Sequence, residues 1–329
     1  MHWESIEMVK CLNTLGYDVD YADCTSPLPK IHWEKYVLII DEKNNLFEHN
    51  SSIKAKKIFY ATGCHWEFHN QSEEIRIGEF NDKFHLQLKT ERKAPVLLSE
   101  KVADITTYFG NDFQNKLFSN PDKTFQLNLS TVFFPVKKSA YSIEERRNNF
   151  IWIGSRGFIH KGLDIVVEAF VKNKNINLHI CTNLQTEPEF YEWFRNITEK
   201  SENIFYHGFL DLSTKEFSYI IDKCIAIPYL SCSEGGAGAV LQVMQFDCFP
   251  IVNEATALCG QEFGILLQGT KREDLLHSLK SGLSEIRNKP VEELEKMALA
   301  SGEYARKNHS RKSYSESFKK LINTLDAAN

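Results

Sequence analysis

The sequence predicts an α/β protein built from two Rossmann-like domains that face a cleft. Three observations carry this. Short apolar runs alternate with helical patterns, as they do where parallel strands are buried on both faces. The alternation stops once, in the polar stretch 136–149 (VKKSAYSIEERRNN), and then restarts. The chain has 329 residues, too many for one ordinary core and comfortable for two. The expected division is 1–138 for the first domain, 149–308 for the second, and 309–329 for a C-terminal helix that packs back across both.

In the first half, Ile6, Val9 and Leu12 share one helical face over 3–15, and Gly16 stops the helix. Asp18–Tyr21 alternates like a short strand. Tyr36–Ile40 and Lys57–Ala61 are buried-strand runs. Ser99–Ala103 ends a helix, Ile105–Tyr108 is a strand, and Asp112–Leu117 opens the next helix. In the second half, strands are expected at 150–153, 177–181, 203–206, 224–228 and 249–252. Helices at 162–171, 188–200, 213–222 and 236–246 separate them. Repeated β-α units with short connections imply a parallel sheet covered by helices on both faces. Tyr314, Phe318, Leu321 and Leu325 fall at helical spacing in the tail and read as core rather than membrane anchor.

Composition narrows the function. The chain is 42% hydrophobic and 25% charged, the profile of a folded soluble protein. Its 39 basic residues against 44 acidic ones leave a net charge of −5, so nothing points to nucleic acid. Met1–Ile6 has no signal-peptide pattern, and no apolar run is long enough to span a membrane. Eight cysteines without a C-x-x-C pair read as reduced, buried thiols. A cytoplasmic protein is expected, with contact at the inner face of a membrane left open.

In open α/β sheets, ligands bind beyond the carboxyl ends of the strands. Two segments there carry the chemistry. In the first, a strand ends at Gly154-Ser155, and Arg156 and Lys161 follow five residues apart before Gly162 opens a helix. Such a loop presents cations to a phosphate, and arginine adds a planar fork of donors. Two solvated surface cations explain this segment equally well. In the second, Ser233-Glu234-Gly235-Gly236-Ala237-Gly238 links a strand to an apolar helix. Small residues let a ligand approach the backbone, and a helix start attracts anions. The glycines lack the third member of the dinucleotide fingerprint, and a tight packing turn is the plain alternative.

Taken together, about eighty residues apart, the two segments are more specific. The chain here resembles the retaining glycosyltransferases of the group-1 class (family 4), which have the GT-B fold. The motif R-x-x-x-x-K-G appears as Arg156 through Lys161-Gly162, and the pocket signature E-G as Glu234-Gly235. Asn203–Gly208 resembles the element before the nucleotide-base site, which brings in His207 and Gly208. The first half resembles a bacterial subgroup at Tyr60–Gly63, Asn70, Arg76, Arg92, Ala103–Ile105 and Gly110-Asn111.

The resemblance implies roles. Arg156 and Lys161 would neutralise the leaving diphosphate, and Glu234 would hydrogen-bond the donor sugar. Gly154, Ser155, Ser233, Gly235, Gly236 and Ala237 would line the nucleotide-sugar site. His65, just after a strand, would face the sugar from the first domain, a role weighed against simple packing. The donor is a nucleotide-diphosphate sugar and the acceptor a glycan or lipid-linked molecule, in bacterial surface polysaccharide synthesis. No cofactor and no metal are required. The sequence departs from the family in three ways. The second carboxylate of E-x7-E is Gln242, and the glycine common five residues later is Asp247. The family's first strand and its glycine-rich loop precede the first helix, whereas this sequence starts at that helix. A degenerate, non-catalytic nucleotide-sugar-binding module is therefore the alternative, and an epimerase of similar fold a third reading.

Three further features invite other readings. Asp18-Val19-Asp20 matches a D-x-D metal motif but fits an alternating strand. His65 and His69 stand four apart, as in a helical metal pair, yet no third ligand follows at matching spacing. Lys319-Lys320 reads as a solvated face.

Overall fold

The structure is a computed structural model that describes residues 3–23, 29–134, 139–258 and 263–327. The first half contains α1 (Trp3–Thr14), β1 (Leu38–Asp41), α2 (Asn45–Glu48), β2 (Lys56–Tyr60), α3 (Trp66–Phe84), β3 (Ile105–Phe109), α4 (Asp112–Asn115) and β4 (Thr124–Leu127). A one-turn helix, α5 (Ile143–Arg146), precedes the second half. There follow β5 (Asn149–Ile153), α6 (Leu163–Val171), β6 (Asn177–Cys181), α7 (Pro188–Thr198), β7 (Ile204–Tyr206), α8 (Lys215–Ile221), β8 (Ala226–Tyr229), α9 (Gly238–Met244), β9 (Phe249–Asn253) and β10 (Ile265–Leu267). Three helices close the chain: α10 (Arg272–Asn288), α11 (Val291–Asn308) and α12 (Arg311–Ala327).

Both sheets are parallel throughout. The first runs β1-β2-β3-β4 in chain order; the second runs β10-β9-β8-β5-β6-β7. In the second sheet the direction of winding reverses between β5 and β8, which opens a crevice beyond their carboxyl ends.

Each sheet borrows a helix from the other half. Tyr314, Phe318, Leu321, Ile322 and Leu325 of α12 are buried with Ile58, Tyr60, Phe109 and Leu127 of the first sheet. The Tyr314 and Tyr60 hydroxyls meet at 2.9 Å. Conversely, Ile77 and Phe80 of α3 belong to the core of the second sheet, where Phe80 meets the Trp193 ring edge-on at 5.0 Å between centroids.

Several expectations are corrected. Residues 17–23 form no strand. The alternation of Asp18–Tyr21 finds no strand to pair with among the described residues, and Asp20 instead accepts a 2.7 Å hydrogen bond from the Tyr36 hydroxyl. Ser99–Lys101 is a single 3-10 turn rather than a helix end. The polar stretch 136–149 carries one short helix where it is described. Ser142 and Glu145 form a reciprocal capping box that starts α5, and residues 135–138 lie outside the described part. Helix α3 escapes a sequence reading because its inward face is carried by His69, Glu73 and Arg76 as much as by Ile77 and Phe80. The period is helical, but the hydrophobic signal that reports it is missing.

Buried charge ties α3, α6 and α10 together. Arg272, 1% exposed, donates to Asp164 at 2.7 Å and to Glu168 at 2.9 Å, and Lys83 of α3 donates to Glu168 at 2.9 Å. Breaking a buried pair leaves an uncompensated charge, which costs about 3–5 kcal/mol. Arg272→Met is therefore expected to lose stability of that order in denaturant titration. A change below about 1 kcal/mol would show that the network contributes little.

Candidate active site

The loops after β5 and β8 meet at the winding reversal. The β5 loop is shaped by two glycines with left-handed backbone, Gly157 (φ +89) and Gly162 (φ +73). A Cβ on Gly162 would collide with the Leu230 carbonyl oxygen, so glycine is what lets this loop pack against the end of β8. Glu187 accepts from the Gly157 and Phe158 amides and fixes the turn between them.

Lys161 is 4% exposed, and its Nζ donates to the Arg156 carbonyl at 2.7 Å. Burial lowers its pKa to about 8, with Glu234 pulling the other way and Arg92 reinforcing the drop. Arg156 itself projects outward, 59% exposed, and pairs with Glu91 of the first half. Glu234 is half-buried. Its Oε1 accepts from the Tyr229 hydroxyl at 3.1 Å and from Ser231 Oγ at 3.3 Å, and its amide donates to the Ala255 carbonyl at 3.0 Å. Lys161 and Glu234 thus come from two loops into one electrostatic neighbourhood, which Arg156 reaches through its carbonyl while its guanidinium pairs with Glu91.

The β8 loop also touches the first half. A Cβ on Gly235 would lie 2.7 Å from the Thr62 carbonyl oxygen and 2.8 Å from Gly63 Cα, so the loop after β2 approaches as closely as backbone allows. Gly236 packs near Phe109 and Leu129, and Ala237 takes the left-handed conformation (φ 48) that starts α9. Gln114 donates to the Glu234 carbonyl, and Asn111 to the Leu258 carbonyl at 3.1 Å.

The other predicted residues are placed as follows. The Gly154 carbonyl accepts from Thr182 Oγ1 at 2.5 Å, and Ser155 is exposed. Ser233 is buried: its carbonyl accepts from His160 Nε2 at 2.7 Å, and its hydroxyl lies 3.1 Å from His69 Nδ1. His207 sits at the β6–β7 side, its Nε2 3.0 Å from His179 Nδ1, and burial lowers both pKa values, that of His179 to about 4. Gly208 has φ +73. His65 stands at the start of α3, 3.2 Å from Glu100 Oε1 and edge-on to Phe118. Gln242 is 7% exposed, and its amide grips Val132 at both ends. It donates to the Val132 carbonyl at 2.8 Å and accepts from the Val132 amide at 3.1 Å. Asp247 has φ 54, the conformation glycine adopts most readily, and its carboxylate pairs with Arg306 at 2.8 Å.

Sequence reasoning missed the clamp beneath the loops. Glu73, fully buried on α3, accepts from the amides of Glu91 at 3.1 Å and Arg92 at 2.9 Å. His69, one turn earlier, donates through Nε2 to the Arg92 carbonyl at 2.7 Å, and Arg76 donates to the Leu230 carbonyl at 2.9 Å. His160 completes the cluster, with Nδ1 3.9 Å from Glu73 Oε1. His69, Glu73 and His160 stand close enough to share a metal ion. Glu73 Oε1 is taken by the two backbone amides, His69 Nδ1 lies against Ser233 Oγ and His160 Nδ1 against Cys232 Sγ, while Glu73 Oε2 makes no hydrogen bond among the described residues. Burial lowers the His160 pKa, and His69, Arg92 and Lys161 lower it further. A cation there would meet like charge. Arg76 and Arg92 stood among the residues that carry the resemblance and His69 in the His65–His69 pair, but Glu73 and the joining of these residues into one cluster were not read from the sequence.

Two parallel sheets with a final helix returning to the first match the GT-B fold seen in glycosyltransferase structures. No family model and no curated protein matches the sequence. Solved structures match by fold. Sucrose-phosphate synthase from Thermosynechococcus elongatus superimposes with a TM-score of 0.62 at 12% identity, over 90% of this chain and 75% of that one. Anabaena HepE in complex with UDP and glucose gives 0.56 at 9% identity, over 90% and 79%. A point mutant of S. aureus TarM, in complex with UDP, fondaparinux and α-GlcNAc-glycerol, gives 0.56 at 12% identity, over 87% and 55%. The chain spans about half the length of TarM.

Proposed function

We propose that this chain is a retaining glycosyltransferase that moves a sugar from a nucleoside-diphosphate donor to a glycan or lipid-linked acceptor, in bacterial surface polysaccharide synthesis. The reading is supported by Lys161 and Glu234 facing each other from the two loops at the winding reversal of a GT-B sheet, with the Arg156 carbonyl on Lys161 Nζ. HepE and TarM were captured with UDP, which makes UDP-sugars the first donors to test.

In the proposed reaction, Lys161 and Arg156 take up the negative charge that grows on the diphosphate as the glycosidic bond breaks. A desolvated ammonium is suited to this, because a fixed charge in a water-poor site stabilises developing charge more than a solvated one does. These cations would do the work of a divalent metal. Glu234, held by Tyr229 and Ser231, would orient the sugar hydroxyls. The acceptor hydroxyl would attack on the face the diphosphate leaves, with a phosphate oxygen receiving its proton, so configuration is retained. Gly154, Ser155, Gly235, Gly236 and Ala237 would form the backbone wall, with Ser233 supporting it from behind. The base would lie toward His207 and Gly208, and His65 would face the sugar.

Lys161→Ala is expected to lower donor hydrolysis by roughly 10²–10³-fold with UDP-glucose or UDP-GlcNAc. Turnover at the wild-type rate would sink the diphosphate assignment. Lys161 is cationic below its pKa of about 8 and neutral above it. UDP binding, followed as the rise in melting temperature, should therefore weaken as pH climbs through about 8, and the Lys161→Ala protein should lack that step. The ribose would be taken by Gln242 in exchange for the Val132 backbone it grips. Gln242→Glu should then bind UDP more tightly; a variant that only melts lower would assign Gln242 to the Val132 crossing alone.

A further inference from the structure

Arg92 lies outside the motifs that define the donor site, yet it is built into them. Its aliphatic stem crosses the β5 loop directly over Gly157. A Cβ at that glycine would collide with Arg92 Cδ and lie 2.8 Å from Cγ. Arg92 Nη1 donates to the Arg156 carbonyl at 3.2 Å, the same oxygen that receives Lys161 Nζ at 2.7 Å. Two cations from opposite walls therefore converge on one carbonyl. Arg92 also contributes to lowering the Lys161 pKa, so the two charges feel each other.

Like charges are not brought together in a semi-buried place without something to hold them. The backbone of Arg92 is held at both polar groups. Its amide donates to Glu73 and its carbonyl accepts from His69, both buried side chains of α3. The neighbouring Glu91 amide binds the same Glu73 oxygen, and the Glu91 carboxylate pairs with Arg156. Meanwhile Arg92 Nε is buried and makes no hydrogen bond among the described residues. A clamp of this kind fixes the guanidinium beside Lys161, and its remaining Nη donors suit a phosphate oxygen.

We infer that Arg92 is a third cation of the donor-diphosphate site, delivered from the first-sheet side, with Glu73 and His69 as its positioning residues and Glu91 as the carboxylate the diphosphate displaces from Arg156. This rests on the donor reading above. The ligand group is the diphosphate of a nucleoside diphosphate, and Arg92 binds its oxygens without reading base or sugar.

The test is calorimetric binding of UDP and of UMP, with GDP and ADP in parallel, to the wild type, Lys161→Ala, Arg92→Met and Arg92→Lys. Arg92→Met keeps the stem over Gly157 and removes the charge. It is expected to weaken UDP at least about tenfold, the scale of a charge-assisted hydrogen bond, and UMP much less. Arg92→Lys should recover part of the loss. In the wild type, UDP should protect Arg92 from phenylglyoxal modification read by mass spectrometry, a measurement that needs no variant to fold. If Lys161→Ala loses UDP while Arg92→Met binds it like the wild type, or if UDP leaves Arg92 fully reactive, the inference is overturned and the donor reading stands. If the wild type binds none of the three diphosphates, the donor reading falls and this inference falls with it.

Discussion

The structure depends on what the inner face of α3 demands. His69, Glu73 and Arg76 are buried on a helix that belongs to the first half of the chain but packs into the second. A buried carboxylate or guanidinium is tolerated only where its hydrogen bonds are made. The partners are found in the loops of the candidate site: the Leu230 carbonyl, Ser233, and the backbone of Glu91 and Arg92. One helix therefore sets the distance between the β8 loop, the 91–92 segment and the β5 loop. An apolar face would have packed more cheaply, but it would not have fixed these backbones.

Around that clamp the electrostatics are graded. Lys161 is sealed under its own loop with its pKa lowered to about 8, Arg156 reaches outward, and Arg92 lies between the two walls. Glu234 opposes Lys161 from the β8 side. The concentration of cations is sustained by the Glu73 anchor, by Glu91 on the exposed arginine, and by Glu187 on the loop amides. Such a cluster is suited to an anion of more than one charge. The exchange of helices between the two sheets, α3 in one direction and α12 in the other, keeps the two walls of this cluster from being independent bodies.

Much of the fold was legible in the sequence. The strands of the second sheet fall within a few residues of expectation, because β5, β6, β8 and β9 are apolar runs between turn residues. Helix α12 was legible from Tyr314, Phe318, Leu321 and Leu325, all buried as their spacing requires. Where the signal failed, the cause is specific. The Asp18–Tyr21 alternation had no neighbour to pair with, and pairing is a property of the sheet rather than of the segment. β4, β10, α10 and α11 lacked a motif to draw attention to them, and α3 hid its period in charged residues.

The sequence alone determined the alternating α/β pattern and the two loops with Arg156, Lys161 and Glu234, because periodicity and local spacing are written along the chain. Tertiary structure decided the rest. It showed that the two loops flank the winding reversal between β5 and β8, that Gln242 grips Val132, and that His69, Glu73 and Arg92 converge on the same loops. The reason is physical. Residues such as Arg92 and Arg156, 64 positions apart, become neighbours only when buried polar groups elsewhere must be satisfied, and that requirement is met in space, not along the chain.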